Sequence, residues 1–187
     1  MKTQRSNRLP TVAGLFAVSL LAACGTMSSK SMAYSQASLP ASVQVPAGNK
    51  VAWETVGVGE ITYECRAKAD MKSQTEWVFA GPKAVLNDRQ GKQVGTYYGP
   101  PATWEAMDGS KLTGTQVAVA PAGDGNLPYQ LVKANPAMGA GALTGVTYIQ
   151  RVALKGGVAP KTPCTPATVG QKSQVQYQAD YIFWKAN

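Results

Sequence analysis

"SQVQYQADYIFW", Ser173 to Trp184, alternates with a period of two. Val175, Tyr177, Ala179, Tyr181 and Phe183 fall on one side of an extended chain, and Gln176, Gln178 and Asp180 fall on the other. Successive side chains of a strand point to opposite faces, so this pattern predicts a strand with one face in a core and one toward water. The same reading extends upstream. "EITYECR" places Ile61, Tyr63 and Cys65 on one face, with Cys65 pointing into the core. "KVAWETV", "TEWVFAG", "KAVLND", "KQVGTYY", "TQVAVA", "PYQLVKA" and "GVTYIQRVAL" complete the set. Turn-forming residues separate these runs at Asp88 to Gly91, Asp108-Gly109, Gly123 to Gly125, Gly139 to Gly141 and Gly156-Gly157. No window sustains the 3.6-residue apolar stripe of a helix. The expectation is one all-β domain over residues 41–187, an antiparallel sandwich or barrel of roughly nine or ten strands.

The N-terminus reads differently. Lys2, Arg5 and Arg8 precede an apolar run from Thr11 to Ala23. That run is shorter than the ~20 residues a membrane-spanning helix needs, and it has the length of a signal-peptide core. It ends in Leu21-Ala22-Ala23-Cys24, which looks like a bacterial lipobox. Residues 1–23 are therefore expected to be a lipoprotein signal peptide, with Cys24 taking the lipid. Cleavage near Ala33, after "SMA", is the alternative and would leave a soluble secreted or periplasmic protein. Gly25, not Asp, follows Cys24, so the outer membrane is the expected destination. Residues 24–40 are Ser- and Ala-rich without a period and read as a flexible tether.

Composition narrows the chemistry. The chain holds 18 Lys and Arg against 10 Asp and Glu, with a net charge of +8. Three of those basic residues belong to the leader, and the rest are spread without a run. Nucleic acid would call for a concentrated basic patch, so it is not an expected partner. Anionic head groups or cell-wall polymers suit a dispersed charge better. The sequence contains no histidine, which removes Ser-His-Asp and Cys-His catalysis and any histidine zinc site. No metal and no cofactor is expected. With Cys24 committed to lipid, Cys65 and Cys164 remain as a pair, and in an oxidising compartment they are expected to form a disulfide.

Five ordered blocks resemble a known family. They are "YEC" at Tyr63–Cys65, "WVFAGPKAVL" at Trp77–Leu86, "GPPATWEAMDGS" at Gly99–Ser110, "GVTYIQRVALKGGVAPKTPC" at Gly145–Cys164 and "VQYQADYIFW" at Val175–Trp184. The series is similar to a family of secreted bacterial and fungal proteins catalogued only as a domain of unknown function. The resemblance implies export, the cysteine pair and a single β-rich domain, and it brings no activity. Where relatives commonly carry His before an aromatic-Gly-Pro step, this chain has Tyr97.

The stretch from Gly95 to Gly114 is the candidate site. Alternation separates Tyr97 from Val94, Thr96 and Tyr98, and separates Glu105 from Trp104. One reading makes Tyr98 and Trp104 core and the rest turn chemistry. The other makes Tyr97 exposed, so that Tyr97, Trp104 and Glu105 line a shallow platform. Flat aromatic faces beside a carboxylate suit sugar rings. Glu105 and Asp108 also raise a glycosidase pair, which needs two carboxylates at a set separation. Arg151, in mid-strand, reads as an ion-pair partner of Asp180 or Glu64 ahead of an anion-binding residue. The leading expectation is a lipid-anchored, non-enzymatic binding module for an envelope ligand such as a glycan. A carboxylate- or Tyr-based hydrolase of envelope or extracellular polymer and a protein-binding inhibitor or interaction module are the alternatives, and a periplasmic protein is a possible partner.

Overall fold

The computed structural model describes Thr3, residues 34–71 and residues 73–187. The expected leader (Thr3 apart), the expected lipidation residue Cys24 and the alternative cleavage point at Ala33 lie outside the described residues.

The domain is all-β. Eight strands follow one another: β1 (Asn49–Ala67), β2 (Thr75–Asn87), β3 (Gln93–Tyr98), β4 (Thr103–Ala106), β5 (Lys111–Ala120), β6 (Tyr129–Ala134), β7 (Val146–Gly156) and β8 (Lys172–Ala186). Each pairs antiparallel with the next, and β8 pairs back onto β1, so the sheet closes into an up-and-down barrel without an edge. The count is eight, not nine or ten. "KVAWETV" and "EITYECR" belong to one long strand, as do "TEWVFAG" and "KAVLND". The glycines between them allow close packing in place of a turn. A Cβ on Gly57 would lie 2.6 Å from the Tyr181 ring, and one on Gly59 would strike the backbone of Lys83.

Alternation sorts the side chains into two apolar layers. Inside the barrel, β8 contributes Tyr177, Ala179, Tyr181 and Phe183, the face its sequence pattern marks out. Ile61, Leu86, Trp104, Leu112 and Ile149 meet them there. The end of the barrel that carries the β2–β3, β4–β5 and β6–β7 loops is plugged. Leu143, in the β6–β7 loop, is fully buried in this core. It is held by Ser110 Oγ, which accepts from its backbone N–H at 3.2 Å.

The second layer is on the outside of the barrel. Leu131, Val152, Ile182 and Trp184 point outward and would face water, but residues 34–45 cover them. Tyr34 packs edge-on against Trp184 at 6.1 Å, and Val43 and Val45 are buried beside it. The buried amide of Gln150 is saturated: its Nε2 donates to Val43 O at 2.7 Å and to Gln36 Oε1 at 2.9 Å. Its Oε1 accepts from Trp184 Nε1 at 3.0 Å and from Tyr34 at 3.2 Å. A buried amide with all its partners fixes the register of the covering segment at little cost. Residues 34–40, the described part of the expected tether, are thus docked on the barrel.

Candidate functional site

The Gly95–Gly114 stretch forms β3, β4 and the start of β5, with Tyr97 directly opposite Trp104. Opposed residues of an antiparallel pair share a face. That face is the interior. Tyr97 is 4% and Trp104 2% exposed, and their rings stack at 4.7 Å with Tyr181 tilted against Tyr97 at 5.0 Å. The expectation of an exposed Tyr97 is therefore corrected, and so is that of a buried Tyr98. Tyr98 lies outside, where its hydroxyl donates to Glu105 Oε2 at 2.6 Å. Alternation separates two faces, but it does not say which of them is inside when both carry aromatics. The platform of Tyr97, Trp104 and Glu105 is not assembled, because the sheet itself stands between the two rings and the carboxylate.

Asp108 is occupied by turn chemistry. Its Oδ1 accepts from Ser110 Oγ at 2.6 Å and from the Ser110 backbone N–H at 3.0 Å, and its Oδ2 accepts from Ala142 N–H at 2.7 Å. These bonds, the Ser110 hydroxyl foremost, hold its carboxyl below the ordinary aspartate range. Glu105 is taken up by Tyr98 and, at 4.0 Å, by Lys111. Nothing here resembles two carboxylates facing each other across a scissile bond.

Arg151 departs furthest from expectation. Both of its proposed partners are engaged elsewhere. Arg89 binds Asp180 at 2.6 Å and Glu54 at 2.7 Å, and Arg66 binds Glu64 at 3.0 Å. Among the described residues Arg151 has no carboxylate partner. Its Nη2 donates to Pro128 O at 3.0 Å, and its buried Nε has no protein partner. Ile149 and Arg151 both point inward from β7. A bulge follows between Val152 and Lys155, with Ala153 at φ 49°, and this extra residue returns Leu154 to the core.

Arg151 faces a cavity of about 390 Å³. Tyr63, Phe79, Tyr97, Trp104, Leu127 and Val132 supply its apolar and aromatic wall, and Gln116 and Gln130 also line it. It lies toward the end of the barrel bearing the β1–β2, β3–β4, β5–β6 and β7–β8 loops, opposite the plug made by Leu143. Trp104 Nε1, buried in the wall, also lacks a hydrogen-bond partner. The Tyr63 hydroxyl donates to Gly157 O at 2.8 Å. Deeper in, the hydroxyls of Tyr177 and Tyr181 are 3.1 Å apart. Burial pushes the Tyr63, Tyr97, Tyr177 and Tyr181 phenols up, and the Arg151 charge works against it at all four. The expected disulfide between Cys65 and Cys164 is formed, and it staples the β7–β8 loop to β1 at the same end. Thr75 Oγ1 and Trp77 Nε1 bind the loop carbonyls of Cys164 and Thr162, each at 2.7 Å. The cavity was legible only in part: Arg151 has the same parity as Ile149, but a strand pattern does not show that a barrel closes around it.

Among the described residues, no cluster of three or more His, Cys, Asp or Glu could hold a metal ion, and no helix is long and apolar enough to cross a membrane. A family model, "Protein of unknown function (DUF3455)", matches residues 46–185. No curated protein and no solved structure matches the chain.

Proposed function

The chain belongs to this family of unknown function, and we propose that it is an envelope binding module that takes a small ligand into its barrel. The observation that carries this reading is the cavity of about 390 Å³ with its aromatic wall and single guanidinium. Small eight-stranded barrels have interiors wide enough to be filled by side chains or to hold one small ligand. This one is filled at one end by Leu143 and its neighbours and open in volume at the other. Its size lies at the lower end of the range of small-molecule pockets, and its lining has their usual composition of mainly apolar groups with few polar ones. A neutral probe that fluoresces in apolar surroundings, such as N-phenyl-1-naphthylamine, tests the idea. It should bind one per chain, and Val132→Phe, which fills the cavity, should abolish binding while the protein stays folded. Absence of saturable binding, or binding indifferent to Val132→Phe, would overturn it.

The same reading places the barrel at a membrane surface through lipid on Cys24, with the outer membrane as its destination. Support comes from the lipobox directly after the apolar run. Two or three acyl chains give stable anchoring, since each buried CH2 contributes ~0.8 kcal/mol. Cys24→Ser should prevent incorporation of labelled palmitate and release the protein from membranes. Retention of the unlabelled variant on membranes would refute the anchor.

A second reading keeps the glycan and moves it outside. A groove of about 940 Å³ on the outer face of β1–β3 includes Val58, Glu60, Lys83, Val85, Tyr98 and Pro100. Tyr98, 38% exposed, offers a ring face and its neighbours offer polar groups. Envelope glycans tested against the wild type and Tyr98→Ala would reveal it as binding that Val132→Phe leaves unchanged.

A further inference from the structure

We propose that Arg151 anchors the oxyanion of an organic acid, a carboxylate in the first instance, whose apolar body lies against Phe79 in the cavity at the end of the barrel. The inference rests on the barrel being a ligand-binding module and names what the ligand must carry.

The argument starts from cost. A guanidinium taken from water into an apolar interior must recover its hydration from partners, usually a carboxylate. Even at the exposed surface, Arg89 has two carboxylates and Arg66 one, 2.6–3.0 Å away. Arg151 has none among the described residues, although it stands among four tyrosines and an indole. One carbonyl, that of Pro128, accepts from Nη2. Arg151 is half-buried: Nε is buried without a partner, while Nη1 is accessible and bonds no protein acceptor among the described residues. An arginine presents five donors in a planar fork that matches the two oxygens of a carboxylate. Nε is closed to the cavity, but the unbonded Nη1 and the free hydrogen of Nη2 are left to an acceptor that arrives with the ligand.

The wall agrees with this. Trp104 is 2% exposed, and its Nε1–H has no partner, so a second donor in the same wall is unmatched. The described acidic side chains that pair with cations, Glu54, Glu64, Glu105 and Asp180, do so away from the cavity lining. No residue of the cavity wall is acidic, so nothing in the lining repels an anion. Beside the Gln116 and Gln130 amides, which bond each other at 2.6 Å, the rest of the lining is mainly apolar: Phe79, Leu127, Val132 and the edges of the stacked Tyr97–Trp104 pair. A ligand that satisfies both parts has an apolar body and one anionic end.

Three naphthalene derivatives separate charge from shape: 1-naphthoate, its neutral amide 1-naphthamide, and 1-naphthyl phosphate. Calorimetry on the full mature protein should find naphthoate bound at least tenfold more tightly than naphthamide. The phosphate arm shows whether the tetrahedral oxyanion is accepted as well as the planar one, and weaker phosphate binding supports the carboxylate. Arg151→Met should bring naphthoate down to the level of naphthamide while N-phenyl-1-naphthylamine still binds, and Arg151→Lys should restore part of the difference. A further readout needs no ligand. Removing a charge that lacks a partner should raise the Tm of the free protein, whereas an arginine kept only to bind Pro128 would make Arg151→Met lower it. Equal affinity for naphthoate and naphthamide in the wild type, or a naphthoate preference that survives in Arg151→Met, would overturn the anchor. The barrel reading would stand as long as the neutral probe binds. Failure of the neutral probe would overturn both.

Discussion

At the scale of single residues, the stacked pair of Tyr97 and Trp104 shows how burial and recognition meet at one place. Trp104 is packed by Tyr97 at 4.7 Å and by Tyr181 at 5.9 Å, so its ring is core even though one edge faces the cavity wall. Trp104→Ala should destabilise the barrel by ~3–5 kcal/mol, the usual cost of removing a large buried aromatic. Tyr97→Ala should also destabilise, by a comparable ~3 kcal/mol or more. Denaturant midpoints at constant m-value measure both. A Tyr97→Ala protein as stable as wild type would contradict the interior placement. Tyr98→Ala, on the outer face, should shift the midpoint far less, since it leaves Glu105 in water with Lys111 near.

At the scale of elements, the long β7–β8 connection is held by chemistry outside the strand ladder. The disulfide joins residues 99 apart in sequence. In the chain-entropy model a loop of that length contributes up to ~4.7 kcal/mol, and native disulfides typically give ~2–5 kcal/mol. The paired substitution of Cys65 and Cys164 by Ser should lower stability by that amount. The loss should also be uneven. Amide exchange should quicken first over residues 157–171, while β8, paired with both β1 and β7, keeps its protection. An unchanged denaturation midpoint would show the bridge to be energetically idle. The covering segment at residues 34–45 is the other such element. It buries the outward side chains Ile182 and Trp184, which no strand of the barrel could shield.

At the scale of the whole molecule, titration behaviour follows from composition and closure together. The chain has no histidine, so no side-chain imidazole titrates between about pH 5 and 8. The interior instead holds tyrosines. Burial raises the phenols of Tyr97, Tyr177 and Tyr181 above their ordinary value, with Tyr181 displaced well upward. A phenol whose folded value exceeds its unfolded value of ~10 stabilises the fold fully below that pH. The contribution is lost as pH rises toward the folded value. Stability should therefore be level through neutrality and fall above about pH 10. Tyrosinate absorbance near 295 nm should appear for these residues only as the barrel opens. Urea midpoints across alkaline pH check the curve. A decline that begins well below the ordinary phenol range would refute it.

The sequence by itself determined the class of fold, most turns and the disulfide partners. Each of these rests on local or compositional physics: a period of two in β8 and β1, Asp-Gly and Gly-Gly where the chain must reverse, and two cysteines besides the one in the expected lipobox. It could not show that Gly57 and Gly59 continue a strand, because the reason is the Tyr181 ring and the Lys83 backbone, distant in the chain. Nor could it choose which face of β3 and β4 is inside. Tyr97 and Tyr98 are alike in hydrophobicity, and only closure of β1 on β8 defines an interior. The partner of Arg151 was likewise a question of space. Asp180 is on the outward parity of β8 and meets Arg89, while Arg151 points inward, so the sheet separates two charges that sequence alone would pair.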